Sequence, residues 1–161
     1  AMAAATSTAA TAATSSARCA AVRLSRHCVF VLLSHAFATE HEEVMGLLLG
    51  AFDDDDTANV FGLSVLARVD KRPDRVEISA VQLAAAARKA EALGAQLRRP
   101  VSIVGWYHSH PHITVSPSHV DLRTQALQQQ LDARFVGVIV SCFNHDTPRT
   151  TGNIELIAFQ A

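Results

Sequence analysis

Two histidines separated by one residue, His108 and His110, follow an apolar stretch typical of a β-strand. Side chains alternate along a strand, so both imidazoles project from the same face. Pro111 ends the strand, and Ser118 then caps a helix whose first turn carries Asp121. Two imidazoles on a strand and one carboxylate at a helix start are ligand types of a catalytic zinc, which keeps a fourth position for water. The pattern therefore predicts a zinc hydrolase.

Composition limits the chain to one globular domain. Its 161 residues can bury about 70% of the unfolded surface, and 49% of them are hydrophobic. A formal net charge of -1 gives no electrostatic reason to expect a nucleic acid partner. The longest apolar run near the amino end, residues 28–33, is too short to span a membrane, and no membrane partner is expected. The three cysteines form no CxxC pair, which favours a reducing compartment, so we expect the nucleus or the cytoplasm.

The amino-terminal residues have a different composition from the rest. Almost all residues from 3 to 17 are Ala, Thr or Ser, which cannot supply an apolar core. We therefore predict a disordered tail over residues 1–21 and a folded domain over residues 22–161. The lack of acidic residues before Glu40 leaves a targeting peptide open as an alternative.

Hydrophobic periodicity and turn signals predict alternating elements in the folded part. The predicted helices cover residues 22–39, 79–94 and 118–131, and the predicted strands cover residues 44–52, 60–69, 101–108, 135–143 and 154–159. Acidic residues 53–56 and residues 151–153 are predicted turns, and residues 70–75 a polar loop. The acidic run lacks the spaced ligands of a calcium loop. The result is a mixed α/β domain with helices packed on a sheet.

Five polar residues in fixed order and spacing carry a family resemblance: Glu43, His108, His110, Ser118 and Asp121. The chain resembles the JAMM/MPN+ zinc metalloproteases, in which a distant glutamate precedes HxH, seven residues and SxxD. Similarity to the lysine-63-specific deubiquitinase branch of that family extends over residues 42–46, 70–72, 74–79, 105–115, 123–125, 135–137 and 141–143. The resemblance implies a single MPN domain, with a curved, largely antiparallel sheet packed with helices, similar to cytidine deaminases.

The same resemblance implies a role for each residue of the motif. His108, His110 and Asp121 would hold one Zn²⁺ per chain. Glu43 would be the general acid/base that acts on the water activated by zinc, and Ser118 would donate a hydrogen bond to the developing oxyanion. The implied activity is hydrolysis of isopeptide bonds in polyubiquitin, with lysine-63-linked chains as the expected substrate.

Several alternatives stay open. Taken alone, the two histidines could be core residues, Ser118 and Asp121 could form only a capping box, and Glu43 could be a solvated charge. Two functional alternatives also remain, an isopeptidase for another ubiquitin-like modifier and a non-catalytic MPN scaffold subunit. A zinc nucleobase deaminase is excluded because the sequence has neither HxE nor PCxxC.

Other reactive side chains are weaker candidates. His112 and His119 lie beside the motif but occupy none of its ligand positions. Cys142 lies in an apolar predicted strand, where we expect a small core residue and not a nucleophile.

Two departures from the lysine-63-specific branch bear on activity. Its members carry a bulky aromatic residue two positions before the motif serine, where this chain has Ser116. We expect a looser loop, reduced activity and preserved zinc binding. Members of the branch also continue into carboxyl-terminal helices that dock a catalytically silent MPN partner of the Abraxas type, whereas this chain ends at Ala161. We therefore expect a catalytic domain that lacks these helices and depends on such a partner.

Overall fold

A six-stranded sheet forms the centre of the domain. A computed structural model of the chain describes residues 18–67, 79–145 and 152–161. In chain order, the elements are β1 (Ala21–Leu24), α1 (Arg26–Ala36), β2 (Met45–Phe52), β3 (Thr57–Leu66), α2 (Ala80–Leu97), β4 (Ser102–Pro111), α3 (His119–Gln129), β5 (Val136–His145) and β6 (Gly152–Phe159). The predicted mixed α/β class is confirmed.

The sheet has the strand order β1-β3-β2-β4-β5-β6. Three of its five neighbouring pairs are antiparallel, and the pairs β1–β3 and β4–β5 are parallel. The register of β2 shifts after Leu49 against β3 and after Leu48 against β4, and the register of β5 shifts after Ser141 against β6. Such bulges bend a sheet. The predicted curved, largely antiparallel sheet is therefore confirmed. Strand β4 lies in its interior, paired on both sides.

Apolar residues cover both faces of the sheet. The consecutive residues Leu47 and Leu48 belong to different core clusters, as do Trp106 and Tyr107, because adjacent strand residues point to opposite faces. The cluster with Tyr107 includes residues of α1, and the cluster with Trp106 includes residues of α2. Within the described ranges, no helix is both long and apolar enough to cross a membrane.

The predicted helix over residues 22–39 is wrong at its start. Its first residues form β1, which pairs in parallel with β3. The helix begins only after Ser25, whose side chain accepts a hydrogen bond from the Cys28 N–H. The half-buried residues Val22 and Leu24 alternate with the exposed residues Ala21 and Arg23, which is the period of a strand. Because β1 begins one residue before the predicted domain boundary, that boundary falls inside a strand.

Helix α2 begins as predicted and ends later. Ser79 caps it in a capping box with Gln82, but the helix continues beyond the predicted end at Gly94. A Cβ at Gly94 would lie 2.9 Å from the Arg99 carbonyl oxygen, so this glycine allows the chain to turn back over the helix. Arg98 supplies the left-handed cap instead, with φ of 53°.

The remaining predicted elements are present, with some shifted ends. Strand β3 begins at Thr57, three residues before the predicted start at position 60. The predicted turn over residues 151–153 is wrong at Gly152 and Asn153, which already pair with β5, and residue 151 lies outside the described residues. Residues 1–17 of the predicted tail and the predicted loop over residues 70–75 lie outside the described residues.

Candidate metal centre

Strand β4 carries both histidines of the HxH motif. It continues three residues beyond its predicted end at position 108, because β5 pairs with it in parallel as far as Cys142. His108 is 1% exposed and His110 is 2% exposed. Both imidazoles are therefore held on a buried part of β4, on the face that also carries Trp106.

Helix α3 brings Asp121 to the same place through the predicted capping box. The Ser118 Oγ accepts a hydrogen bond from the Asp121 N–H at 3.2 Å, and the Asp121 Oδ2 accepts one from the Ser118 N–H at 2.7 Å. The second carboxylate oxygen, Oδ1, lies 3.1 Å from His108 Nε2, and Oδ2 lies 3.5 Å from His110 Nε2. One side chain thus caps the helix and faces both imidazoles.

The spacing of these three side chains suits a small divalent metal. The two Nε2 atoms lie 3.0 Å apart, and all three ligand atoms lie within 4.8 Å of one another. A tetrahedral zinc with bonds of about 2.0–2.1 Å separates its ligands by about 3.3 Å. The separation of 3.0 Å between the two Nε2 atoms lies close to that value, and each imidazole has one Asp121 oxygen nearby, Oδ1 at 3.1 Å from His108 Nε2 and Oδ2 at 3.5 Å from His110 Nε2. His108, His110 and Asp121 could therefore hold a metal ion.

Electrostatics at the centre favour a cation. Burial would raise the pKa of Asp121, but hydrogen bonds from His108 and His110 hold it well below its usual value. The carboxylate is thus in the ionised form that metal binding requires. Burial by itself would lower the pKa of His110, yet hydrogen bonds with Asp121 and the Thr114 carbonyl raise it. The negative charge of Glu43 also raises the pKa of His110.

A loop outside the motif orients His110, and the sequence analysis missed it. The His110 Nδ1 lies 2.7 Å from the Thr114 carbonyl oxygen, the kind of bond that fixes which nitrogen of a histidine faces a metal. The neighbouring Ile113 carbonyl accepts hydrogen bonds from Ser141 Oγ at 2.5 Å and from Asn144 Nδ2 at 3.3 Å. Both donors lie on β5, which therefore anchors the loop.

Glu43 lies beside the centre, just before β2. The Ser109 N–H donates to the Val44 carbonyl at 2.9 Å, and the Val44 N–H donates to the Ser109 Oγ at 2.9 Å. The register of β2 and β4 ends at the pair Met45 and His108, and its continuation by two residues would place Glu43 opposite His110. Glu43 is half-buried, and its charge acts on His110. The structure thus brings all five motif residues to one region.

The weaker candidates lie outside this group. His112 is exposed and its Nε2 lies 3.3 Å from the Glu40 Oε2, and His119 is an exposed residue at the start of α3. Cys142 is fully buried, and its Sγ donates to the Ala36 carbonyl at 3.7 Å. Burial raises the pKa of the Cys142 thiol, which disfavours a nucleophilic thiolate. The predicted core role of Cys142 is confirmed.

Comparison with curated proteins places these residues in a family. The family model described as "JAB1/Mov34/MPN/PAD-1 ubiquitin protease" matches residues 17–134. The Lys-63-specific deubiquitinase BRCC36 of Xenopus tropicalis is 49% identical over 141 residues, which cover 88% of this chain and 54% of that protein. Its Homo sapiens counterpart is 44% identical over 165 residues, with coverage of 88% and 52%. The chain spans about half the length of the curated relatives it matches.

Solved structures show the same fold in more distant proteins. The solution structure of DSY2949 from Desulfitobacterium hafniense has a TM-score of 0.59 at 20% identity, covering 87% of this chain and 84% of that one. A solution structure from Salinibacter ruber has a TM-score of 0.50 at 28% identity, covering 82% and 76%. Because the family model matches more than half of the chain and the curated relatives are 44–49% identical, the resemblance seen in the sequence is confirmed: the chain belongs to the JAB1/Mov34/MPN/PAD-1 (JAMM/MPN) family.

Proposed function

We propose that this chain is the catalytic domain of a zinc-dependent deubiquitinase that hydrolyses isopeptide bonds in polyubiquitin. The observation that carries the proposal is the convergence of two buried imidazoles and an ionised carboxylate within 4.8 Å, in a domain of a ubiquitin protease family. Relatives named Lys-63-specific deubiquitinase support lysine-63-linked chains as the preferred substrate.

Each residue of the motif has a role in this proposal. His108, His110 and Asp121 would hold Zn²⁺, which would lower the pKa of a coordinated water to about 7 and polarise the scissile carbonyl. Glu43 takes a proton from the attacking water and gives it to the departing lysine ε-amine. That amine leaves poorly unless it is protonated, because the pKa of its conjugate acid is about 10.4.

Ser118 can cap the helix and serve the reaction at the same time. Its Oγ accepts the hydrogen bond of the cap, from the Asp121 N–H. A serine hydroxyl that accepts such a bond keeps its own hydrogen for donation. Ser118 would direct this hydrogen to the oxyanion that forms on the scissile carbonyl.

Substrate choice and partners lie outside the metal motif. We assign linkage preference to segments outside the motif that would contact the proximal ubiquitin, such as residues 70–75, which lie outside the described residues. A catalytically silent MPN partner of the Abraxas type, and a location in the nucleus or cytoplasm, stay predictions.

Two alternative functions remain, an isopeptidase for another ubiquitin-like modifier and a non-catalytic scaffold. The assembled motif weighs against the scaffold, which has no chemical need for Glu43 beside the metal ligands.

Metal analysis combined with a panel of linkage-defined di-ubiquitins tests the proposal. We expect about one zinc per chain, and faster cleavage of lysine-63-linked di-ubiquitin than of other linkages once a silent MPN partner is added. Equal cleavage of all linkages would remove the linkage preference. A zinc-loaded assembly that cleaves only conjugates of another modifier would favour the first alternative. The scaffold would be favoured if the assembly cleaved nothing.

The exposed Ser116 offers a second test. It lies in the loop between Thr114, whose carbonyl binds His110, and the cap residue Ser118. We expect Ser116→Trp to raise turnover severalfold in the same assembly and to leave zinc affinity unchanged, because a large apolar side chain would order the loop. Ser116→Ala is the control for loss of the hydroxyl alone. Unchanged kinetics in Ser116→Trp would contradict this expectation.

A further inference from the structure

The two candidate histidine ligands are supported in different ways. A metal-bound histidine usually donates its other ring N–H to an oxygen acceptor, which fixes the ring. His110 follows this rule through the Thr114 carbonyl, 2.7 Å from its Nδ1. The Nδ1 of His108 is buried and has no hydrogen-bond partner among the described residues. Another contact must therefore set the plane of the His108 ring.

Trp106 provides that contact. Its indole ring stacks on the His108 imidazole, with ring centroids 4.7 Å apart and planes inclined by only 9°. The two residues are two positions apart on β4, so they share one face of the strand. The indole is fully buried and cannot move aside without opening the core.

Gln125 in turn fixes the indole. The Trp106 Nε1 donates to the Gln125 Oε1 at 2.8 Å. The Gln125 Nε2 donates to the Phe135 carbonyl at 2.6 Å and to the Gln129 Oε1 at 3.1 Å, so the orientation of its amide is determined. Gln125 is fully buried and lies four residues after Asp121, on the same side of α3. One helix thus presents a carboxylate to the centre and holds the ring on which His108 rests.

We propose that Trp106, held by Gln125, is a positioning residue for His108, and that ring stacking in place of a hydrogen bond at Nδ1 aims Nε2 at the metal. This inference rests on the proposed metal site. An imidazole bound to a divalent cation is polarised towards positive charge, and indole has the aromatic face that attracts such charge best. The stack is therefore stronger in the metal-bound state, so Trp106 raises metal affinity as well as orienting the ring.

Zinc affinity of two matched variants tests the proposal. Trp106→Leu removes the stack, whereas the control Tyr107→Leu removes an equally buried ring from the opposite face of β4, where it contacts His35. We expect Trp106→Leu to weaken zinc binding by about 10–100-fold, measured by competition with a chelator, and to change the visible spectrum of the Co²⁺ form. Tyr107→Leu should lower the melting temperature but keep wild-type affinity and spectrum.

Milder variants cover the case in which Trp106→Leu does not fold. Trp106→Phe keeps a stacking ring and should recover most of the zinc affinity. Gln125→Leu keeps the indole but removes its acceptor, and should weaken zinc binding and change the Co²⁺ spectrum. Wild-type affinity and spectrum in a folded Trp106→Leu or Gln125→Leu variant would overturn the proposal.

Fluorescence separates this inference from the proposed function. Trp106 is the only tryptophan of the chain, so its emission reports directly on the stack. Zinc added to the metal-free protein should change the emission until about one equivalent is bound. Zinc binding without any change in emission would overturn the role of Trp106. Failure of the wild-type chain to bind zinc would instead refute the metal site on which the inference rests.

Discussion

Replacing Glu43 by glutamine is expected to abolish most isopeptide cleavage while leaving the metal content unchanged. Glutamine has the same shape but can neither accept the proton of the attacking water nor return it to the lysine amine. General acid–base catalysis contributes about 10²–10⁴-fold, so kcat should fall by that factor. The measurement is turnover of lysine-63-linked di-ubiquitin by zinc-loaded protein in the presence of the proposed MPN partner, together with zinc content.

Glu91→Gln is the matched control for this prediction. Glu91 is exposed on α2, and its substitution removes the same charge away from the centre. It should leave turnover at the wild-type level. If Glu43→Gln retained cleavage, Glu43 would lose its assigned role although the metal site could stand.

Removal of the Asp121 side chain is expected to eliminate zinc binding and activity together. Asp121→Ala deletes a candidate ligand. Loss of a hydrogen bond that supports a ligand lowers metal affinity by about 10–100-fold, and we expect a larger fall in zinc affinity here. The variant also loses half of the capping box, which should cost about 1 kcal/mol of folding stability. Zinc content, a chelator titration and the melting temperature of the metal-free protein measure these effects. His108→Ala should likewise lose zinc but leave the cap intact.

Ser118→Ala separates the cap from the metal. It removes the other half of the capping box, so the metal-free protein should lose about 1 kcal/mol of stability. Zinc should still bind, because Ser118 is not a candidate ligand. Loss of the oxyanion donor should lower kcat by about 10²–10³-fold. For the preceding prediction, full zinc occupancy in the Asp121→Ala variant would refute the assignment of Asp121 as a metal ligand.

The clustering of His108, His110 and Asp121 was predictable because local patterns in the sequence place each of these side chains. The alternation of a strand places His108 and His110 on one face, and the Ser118 cap places Asp121 in the first turn of α3. The family resemblance added Glu43, which no local pattern connects to the other residues. Its approach to His110 depends on the pairing of β2 with β4, which brings together segments more than sixty residues apart.

The errors in the strands arose where distant segments pair. Residues 21–24 are too few for periodicity to distinguish a strand from a helix start, and only the edge of β3 makes them a strand. Strand β4 extends to Pro111 because β5 lies beside it, and Gly152 joins a strand because β5 continues to His145. The stack of Trp106 on His108 was open to prediction from their spacing. The anchor at Gln125 was not, because it depends on how α3 packs.

Asp121 is both a candidate metal ligand and part of the capping box of α3, which affects how a member of this family can lose activity by mutation. Substitution of Asp121 removes a candidate metal ligand and half of the capping box of α3 in one step, so it carries a penalty in stability as well as the loss of metal binding that we expect. Glu43 belongs to no helix or strand and caps none, so its substitution carries a smaller penalty in stability. A family member retained only for assembly is therefore expected to lose Glu43 earlier in evolution than Asp121.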